Sequence, residues 1–156
     1  MENKQAELII KLEEGMRTHP YYCSEQCPTI GYGQRIGDKG EPLPNITTTE
    51  KEALKFLRQR ISEIIVTLSS KQSKAWNNCN AQRQAILISL AYQLGIAGAM
   101  AFKKMWAAIA NKDFNEAVIQ MMDSKWAKQT RNRAIRQSNT MRSGSLDQYY
   151  LSNGKY

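Results

Sequence analysis

Glu14, Cys23 and Thr29 carry the side chains in the N-terminal third of this chain that are best placed to do chemistry. Eight residues separate the carboxylate from the thiol and five separate the thiol from the hydroxyl, which opens the run Thr29-Ile30-Gly31-Tyr32-Gly33. A carboxyl group can give or take a proton. A thiol or hydroxyl set beside it can hold water, accept a proton or attack as a nucleophile. The turn and strand residues Pro20, Tyr21, Tyr22, Pro28 and Ile30 lie between and around these groups, a layout that ends a helix on an acid and folds a small hairpin back across it.

The helix that must carry Glu14 is readable from Ala6, Leu8, Ile9, Ile10 and Leu12, whose spacing predicts a helix over 3–14 with Gly15 as its stop. A carboxylate at that end opposes the helix dipole. This is an unfavourable place for a structural acid and a suitable one for a proton donor. Pro20, Pro28, Pro42, Pro44 and the Gly37-Asp38-Lys39-Gly40 turn then break the pattern, and a two- or three-stranded antiparallel sheet is expected within 17–46. A sheet this small needs neighbouring helices to hold it. Thr49 with Glu52 fits a capping box, and Ala53, Leu54, Leu57, Ile61, Ile64, Ile65 and Leu68 continue it as one long amphipathic helix, 49–68.

Beyond it, 80–94 opens on Asn80 and is apolar nearly all round, which places that helix in the middle of a helical lobe and ends it at Gly95 and Gly98. Shorter helices are expected at 100–110, 113–122, 124–135 and 144–151, with Trp76, Trp106, Trp126 and the methionines as core. Cys79 reads as a small buried hydrophobe. At 156 residues, with 42% hydrophobic and 23% charged side chains, the chain suits a single globular domain of mainly α, α+β architecture.

Charge is placed unevenly. Residues 1–63 hold ten acids and nine bases, whereas 64–156 hold four acids and thirteen bases. Such a one-sided basic surface favours a polyanionic partner: nucleic acid, anionic lipid or an anionic cell-wall polymer. Zinc-finger spacing and RNP-like strands are missing from the sequence, so nucleic acid is not the expected partner. Three cysteines without a Cys-x-x-Cys pair and a single histidine, His19, supply no tetrahedral metal site, and no cofactor is called for. No apolar run approaches eighteen residues and the N-terminal stretch lacks the layout of a signal peptide, so neither membrane insertion nor export is expected of this sequence.

Four segments together resemble one family: Glu13-Glu14-Gly15-Met16-Arg17, Thr29-Ile30-Gly31-Tyr32-Gly33, Tyr92-Gln93-Leu94-Gly95, and Trp126-Ala127-Lys128-Gln129-Thr130-Arg131-Asn132-Arg133-Ala134. They are similar, in one order and over 8–149, to the phage-type lysozymes, endolysins of glycoside hydrolase family 24. The resemblance implies a lysozyme-like fold, with a small β-containing lobe (15–48), the linking helix (49–68), and a helical lobe (69–156) against which the first helix packs. It implies cleavage of the β-1,4 bond between N-acetylmuramic acid and N-acetylglucosamine in bacterial peptidoglycan, with Glu14 as general acid. The family's usual partner is Asp, and here that position is Cys23, as in a subset of these endolysins. Thr29 is kept.

A thiol of ordinary pKa about 8.5 is mostly neutral at pH 7. Cys23 must therefore have a lowered pKa, act as a nucleophile, or orient water with Thr29, and water positioning is the preferred reading. Tyr92 and Gln93 match an aromatic-Gln pair facing the cleft, Gln120 a polar cleft position, and Arg133 a basic residue near the acid; all four are expected to contribute to substrate binding.

A monomer acting on peptidoglycan is implied, made in the host cytoplasm and released through a separate pore protein. Two alternatives stay open: a lytic transglycosylase acting on the same bond, and a non-enzymatic cationic protein that binds wall or membrane. The four-residue step from Cys23 to Cys27 also leaves room for a disulfide.

The basic half has a direct consequence. Activity on whole cell walls should fall as salt rises and the screening length shortens from about 10 Å at 0.1 M to about 3 Å at 1 M, while turnover of a short neutral oligosaccharide should barely change. Equal salt sensitivity on both substrates, measured side by side, would remove these charges from wall binding.

Overall fold

Asn3 starts the first helix by accepting the Ala6 N–H on its side-chain oxygen at 2.9 Å, and α1 (Lys4–Glu14) follows in the computed structural model, which describes residues 1–154. Ala6, Ile9 and Ile10 are its buried face. Gly15, at φ 69°, stops the helix one residue after Glu14, and its N–H bonds the Lys11 carbonyl. Helix α1 therefore ends on the acid, as the spacing predicts.

The sheet has three antiparallel strands in the order β1 (Arg17–Tyr22), β2 (Pro28–Gly31), β3 (Gln34–Arg35). Tyr21 lies opposite Thr29 and Tyr22 opposite Pro28, with an irregularity between Tyr21 and the next pair, Arg17 and Gly31. Every residue of β2 is buried. Gly31 lets the strand press on the next helix, since a Cβ there would come within 3.1 Å of the Ala53 Cβ.

That helix is α2 (Glu50–Lys71), buried along Ala53, Leu57, Ile61, Ile64, Ile65 and Leu68. The Thr49 hydroxyl accepts the Glu52 N–H at 3.2 Å, but the Glu52 carboxylate takes the Thr48 hydroxyl instead of reaching back. Only half of the expected capping box forms, and the helix runs three residues past Leu68.

A short α3 (Ser73–Asn77), absent from the sequence reading, buries Trp76 before Asn80 caps α4 (Ala81–Met100) by accepting the Arg83 N–H. Ile86, Leu87, Ile88 and Leu90 in α4 are fully buried. Gly95, at φ 78° and ψ 166°, bends α4 where the sequence places its end, and helical structure resumes after it. Helices α5 (Lys103–Ala110) and α6 (Phe114–Met122) fall close to their expected places.

The expected helix 124–135 is instead two. Helix α7 (Lys125–Gln129) ends at Thr130, whose backbone leaves the helical region at φ −129° and ψ 56° while its N–H and its hydroxyl both donate to the Trp126 carbonyl, and α8 (Arg131–Ser143) starts afresh. Gly144, at φ 78°, ends α8, and α9 (Gln148–Asn153) closes the described chain.

Trp76, Trp106 and Trp126 are buried, as is Cys79, whose thiol is pushed up to about 11 by burial. Each buried Leu or Ile contributes about 1.5–3 kcal/mol relative to exposure, so the helical core around α4 is the main source of stability. Among the described residues no single helix is long and apolar enough to cross a membrane.

Candidate active site

Glu14 sits where three elements meet. From its own helix it projects toward the β2–β3 turn, where a Cβ on Gly33 would fall 2.8 Å from the Glu14 Cδ and Oε1. Gly33 is also at φ 69°, so glycine is required there twice over, once for the backbone and once for the carboxyl. From α8, Arg133 Nη1 donates to Glu14 Oε2 at 3.2 Å. Arg133 is buried while the Glu14 side chain keeps 18% exposure, so the acid is held from the protein side and reachable from outside. Oε1 takes no hydrogen bond from the described residues and lies against Gly33 at the hairpin tip.

Arg133 is itself held. Its Nη2 donates to Ser89 Oγ at 3.1 Å, and Gln137 Nε2 donates to the same oxygen at 2.8 Å. Sequence reasoning missed Ser89 and Gln137. A serine inside an otherwise apolar helix was the one available signal.

Cys23 continues the β1–β2 ladder directly opposite Cys27, its N–H donating to the Cys27 carbonyl at 3.1 Å, and Gln26 at φ 63° closes the turn by donating to the Cys23 carbonyl. Burial raises the pKa of the Cys23 thiol, but hydrogen bonds from the backbone at Cys27 and Glu25, from the Thr29 hydroxyl and from Cys27 outweigh it, and the net shift is downward. Buried Thr29 also donates its hydroxyl to the Cys27 carbonyl at 2.9 Å. A hydroxyl has one proton, so Thr29 serves either that carbonyl or the sulfur at any instant. Burial drives the Cys27 thiol the other way, upward, and all three cysteines are free.

Tyr21, also missed, links the two halves. It stands across the ladder from Thr29 and two residues before Cys23, hence on the same face. Burial, the Glu14 charge and Cys23 all raise its phenol pKa, against Arg17, whose guanidinium lies 4.7 Å from the ring centroid.

The other expected binding residues are placed as follows. The Tyr92 hydroxyl donates to the Tyr32 carbonyl and so pins the tip of the hairpin to α4, while burial and the Glu14 charge keep its phenol protonated. Gln93 Oε1 accepts the Trp126 indole N–H at 2.8 Å. Gln120, bonded to Glu116 at 2.8 Å, lines a cavity of about 560 Å³ with Leu94, Phe102, Trp126 and three lysines, Lys103, Lys104 and Lys125. Glu25, from the turn between Cys23 and Cys27, also lines it. Glu14 lies outside that cavity. Among the described residues no cluster of His, Cys, Asp and Glu side chains could hold a metal ion.

A small antiparallel sheet is thus set against a helical body, with one carboxylic acid braced by a buried arginine where they meet. Residues 11–142 match the family model for phage lysozyme, and the chain belongs to that family. It is 27% identical over 162 residues to probable T4-type lysozyme 2 of Dictyostelium discoideum, a match that covers 90% of this chain and 95% of that protein. Probable T4-type lysozyme 1 of the same organism is 28% identical over 120 residues, covering 77% of this chain and 69% of the relative. The chain is also 27% identical over 161 residues to the pre-baseplate central spike protein Gp5 of Enterobacteria phage T4, of which it spans 28%. Family membership makes the protein a lysozyme-type peptidoglycan hydrolase.

Two measurements test the geometry. Gly33→Ala should cost about 1–2 kcal/mol in urea unfolding, from the left-handed backbone alone, and should lower the rate on peptidoglycan at least tenfold, by displacing the carboxyl. A full rate would mean that the hairpin tip does not constrain Glu14. With limiting iodoacetamide at pH 7, peptide mapping should find Cys23 labelled first and Cys27 and Cys79 labelled only on unfolding. Equal labelling in the folded protein would contradict the opposed environments of Cys23 and Cys27.

Proposed function

We propose that the protein is an endolysin that hydrolyses the β-1,4 bond between N-acetylmuramic acid and N-acetylglucosamine, with Glu14 as general acid and Cys23 and Thr29 holding the attacking water. The observation that supports this most is the division of labour on Glu14: Oε2 is committed to Arg133, while Oε1 takes no hydrogen bond from the described residues and the side chain stays partly exposed. The free oxygen delivers the proton to the leaving glycosidic oxygen. On the other face of the sugar ring, the sulfur and the Thr29 hydroxyl oxygen, whose own proton is engaged within the hairpin, offer two acceptors for the protons of a water molecule.

The downward shift of the Cys23 thiol gives this pair more anionic character than an ordinary cysteine would have, which suits both water activation and stabilisation of the oxocarbenium-like transition state. The cavity beyond Gln120 takes the peptide-bearing part of the polymer. Lys103, Lys104 and Lys125 attract its carboxylates, and Phe102 and Trp126, packed edge to face at 6.1 Å, supply the apolar wall. Gln93 and Tyr92 act indirectly, by fixing Trp126 and the hairpin tip. The protein acts as a monomer, accumulates in the host cytoplasm and reaches the wall through a separate pore protein.

Glu14→Gln keeps the shape of the side chain and removes the transferable proton, so solubilisation of purified peptidoglycan should fall by 100-fold or more with circular dichroism unchanged. Mass spectrometry of the wild-type digest should find muramic acid at the new reducing ends. A variant that retains more than a tenth of the rate would remove Glu14 as the acid, and anhydro-muramyl ends would assign a transglycosylase.

A further inference from the structure

A second carboxylate, which the reaction does not use, lies immediately behind the acid. The Glu13 side chain is only 4% exposed. It accepts the Tyr150 hydroxyl at 2.7 Å, Arg136 Nη2 at 2.6 Å and Arg136 Nε at 3.4 Å. Tyr150 is fully buried on α9, and burial together with the Glu13 charge drives its phenol upward, so it remains a donor. The neighbouring Tyr149 ring lies under the Arg136 guanidinium at 4.4 Å. Both tyrosines of the last helix are thus committed to one ion pair.

The register between α1 and α8 gives this pair a role. Arg133 and Arg136 are one turn apart on α8, Glu13 and Glu14 are adjacent on α1, and each arginine takes one acid. Adjacent helical residues point about 100° apart, so gripping both fixes the rotation of the last turn of α1 about its axis. That rotation aims Glu14 Oε1. The second pair adds to the hold that the buried Ile9 and Ile10 face already has on α1, and a displacement of about 1 Å is enough to cost on the order of 100-fold in rate.

We infer that Glu13, held by Arg136 and Tyr150, is a positioning residue for Glu14, setting its direction and balancing the charge beside it. The C-terminal helix α9 then supports catalysis without lining the cavity. This rests on Glu14 being the acid. The charged and titratable groups that couple to Glu14 are Arg133 from α8, Tyr92 from α4 and Tyr21 from the hairpin, with Arg17 and Cys23 next to Tyr21 and Arg60 of α2 next to Tyr92. Glu13, the residue before it, and Arg136 form a balanced pair beside it.

The two members of that pair should act in opposite directions. Glu13→Gln leaves the Arg136 charge uncompensated, which favours the ionised, non-donating form of Glu14. The alkaline limb of the kcat/KM profile should move to lower pH by on the order of half a unit. Arg136→Gln leaves the Glu13 charge uncompensated and should move that limb to higher pH by a similar amount. Tyr150→Phe removes one oxygen and keeps the ring, so the fold should persist while kcat falls about fivefold to tenfold with KM unchanged.

All three are measured on the full chain beside Glu14→Gln, with thermal unfolding recorded for each. Opposed shifts with a kcat loss in Tyr150→Phe support the inference. An unmoved profile with only a lower Tm, or shifts in the same direction, would overturn it and leave a purely structural network. Should either charge variant fail to fold, Tyr150→Phe decides, and an unchanged kcat there overturns the inference. Activity retained by Glu14→Gln would instead strike the identification of the acid, a separate failure.

Discussion

A buried guanidinium without a partner costs several kcal/mol, and that constraint organises this molecule around Arg133. Its two terminal nitrogens reach Glu14 and Ser89 while its buried Nε has no partner among the described residues, so α8, α1 and α4 must meet at one point for the charge to be held. Gln137, one turn along α8, completes Ser89. The hairpin closes on the same place, because Gly33 has room for a carboxyl where any other residue would have a Cβ. The acid is held between a guanidinium and a glycine, and the helical core supplies the stability that keeps it there.

The features that were legible in the sequence are local ones. Gly15 after an apolar periodic run ends α1 on Glu14, Asn80 and Thr49 accept the N–H groups three residues on, and the strand residues around Tyr21 and Ile30 give the hairpin. The break at Thr130 left no such mark. A threonine hydroxyl that bonds back to a carbonyl four residues earlier looks, in sequence, like any mid-helix threonine, so α7 and α8 read as one short helix and the run to Ser143 was lost. Likewise nothing local shows what Tyr92 and Gln93 bond, and only the packing reveals that both hold other parts of the site.

Long-range pairing explains the rest of what was hidden. Glu13 and Tyr150 are 137 positions apart, and Arg136 and Glu13 are 123 apart. A double acid, Glu13-Glu14, gives no hint from sequence that one faces inward and the other outward. The same holds for Tyr21, whose place beside Cys23 and Thr29 follows only from the register of the two strands. Charge asymmetry was legible as a total, but not its arrangement. Arg83 and Arg133 are spent on internal contacts, whereas Lys103, Lys104 and Lys125 line the cavity.

The Cys23 thiol, proposed to hold the attacking water with Thr29, is where the proposed chemistry is most particular. Its hydrogen-bonded turn lowers the thiol pKa and brings Thr29 within reach, an arrangement suited to holding water. Water attack from the face opposite the leaving group inverts the anomeric centre, whereas attack by the Cys23 sulfur followed by hydrolysis retains it. Proton NMR of the first product released from a muramic acid oligosaccharide, read before mutarotation, separates the two. Glu14 acting with water held by Cys23 and Thr29 predicts the α-anomer first; the β-anomer first would contradict it and make Cys23 the nucleophile.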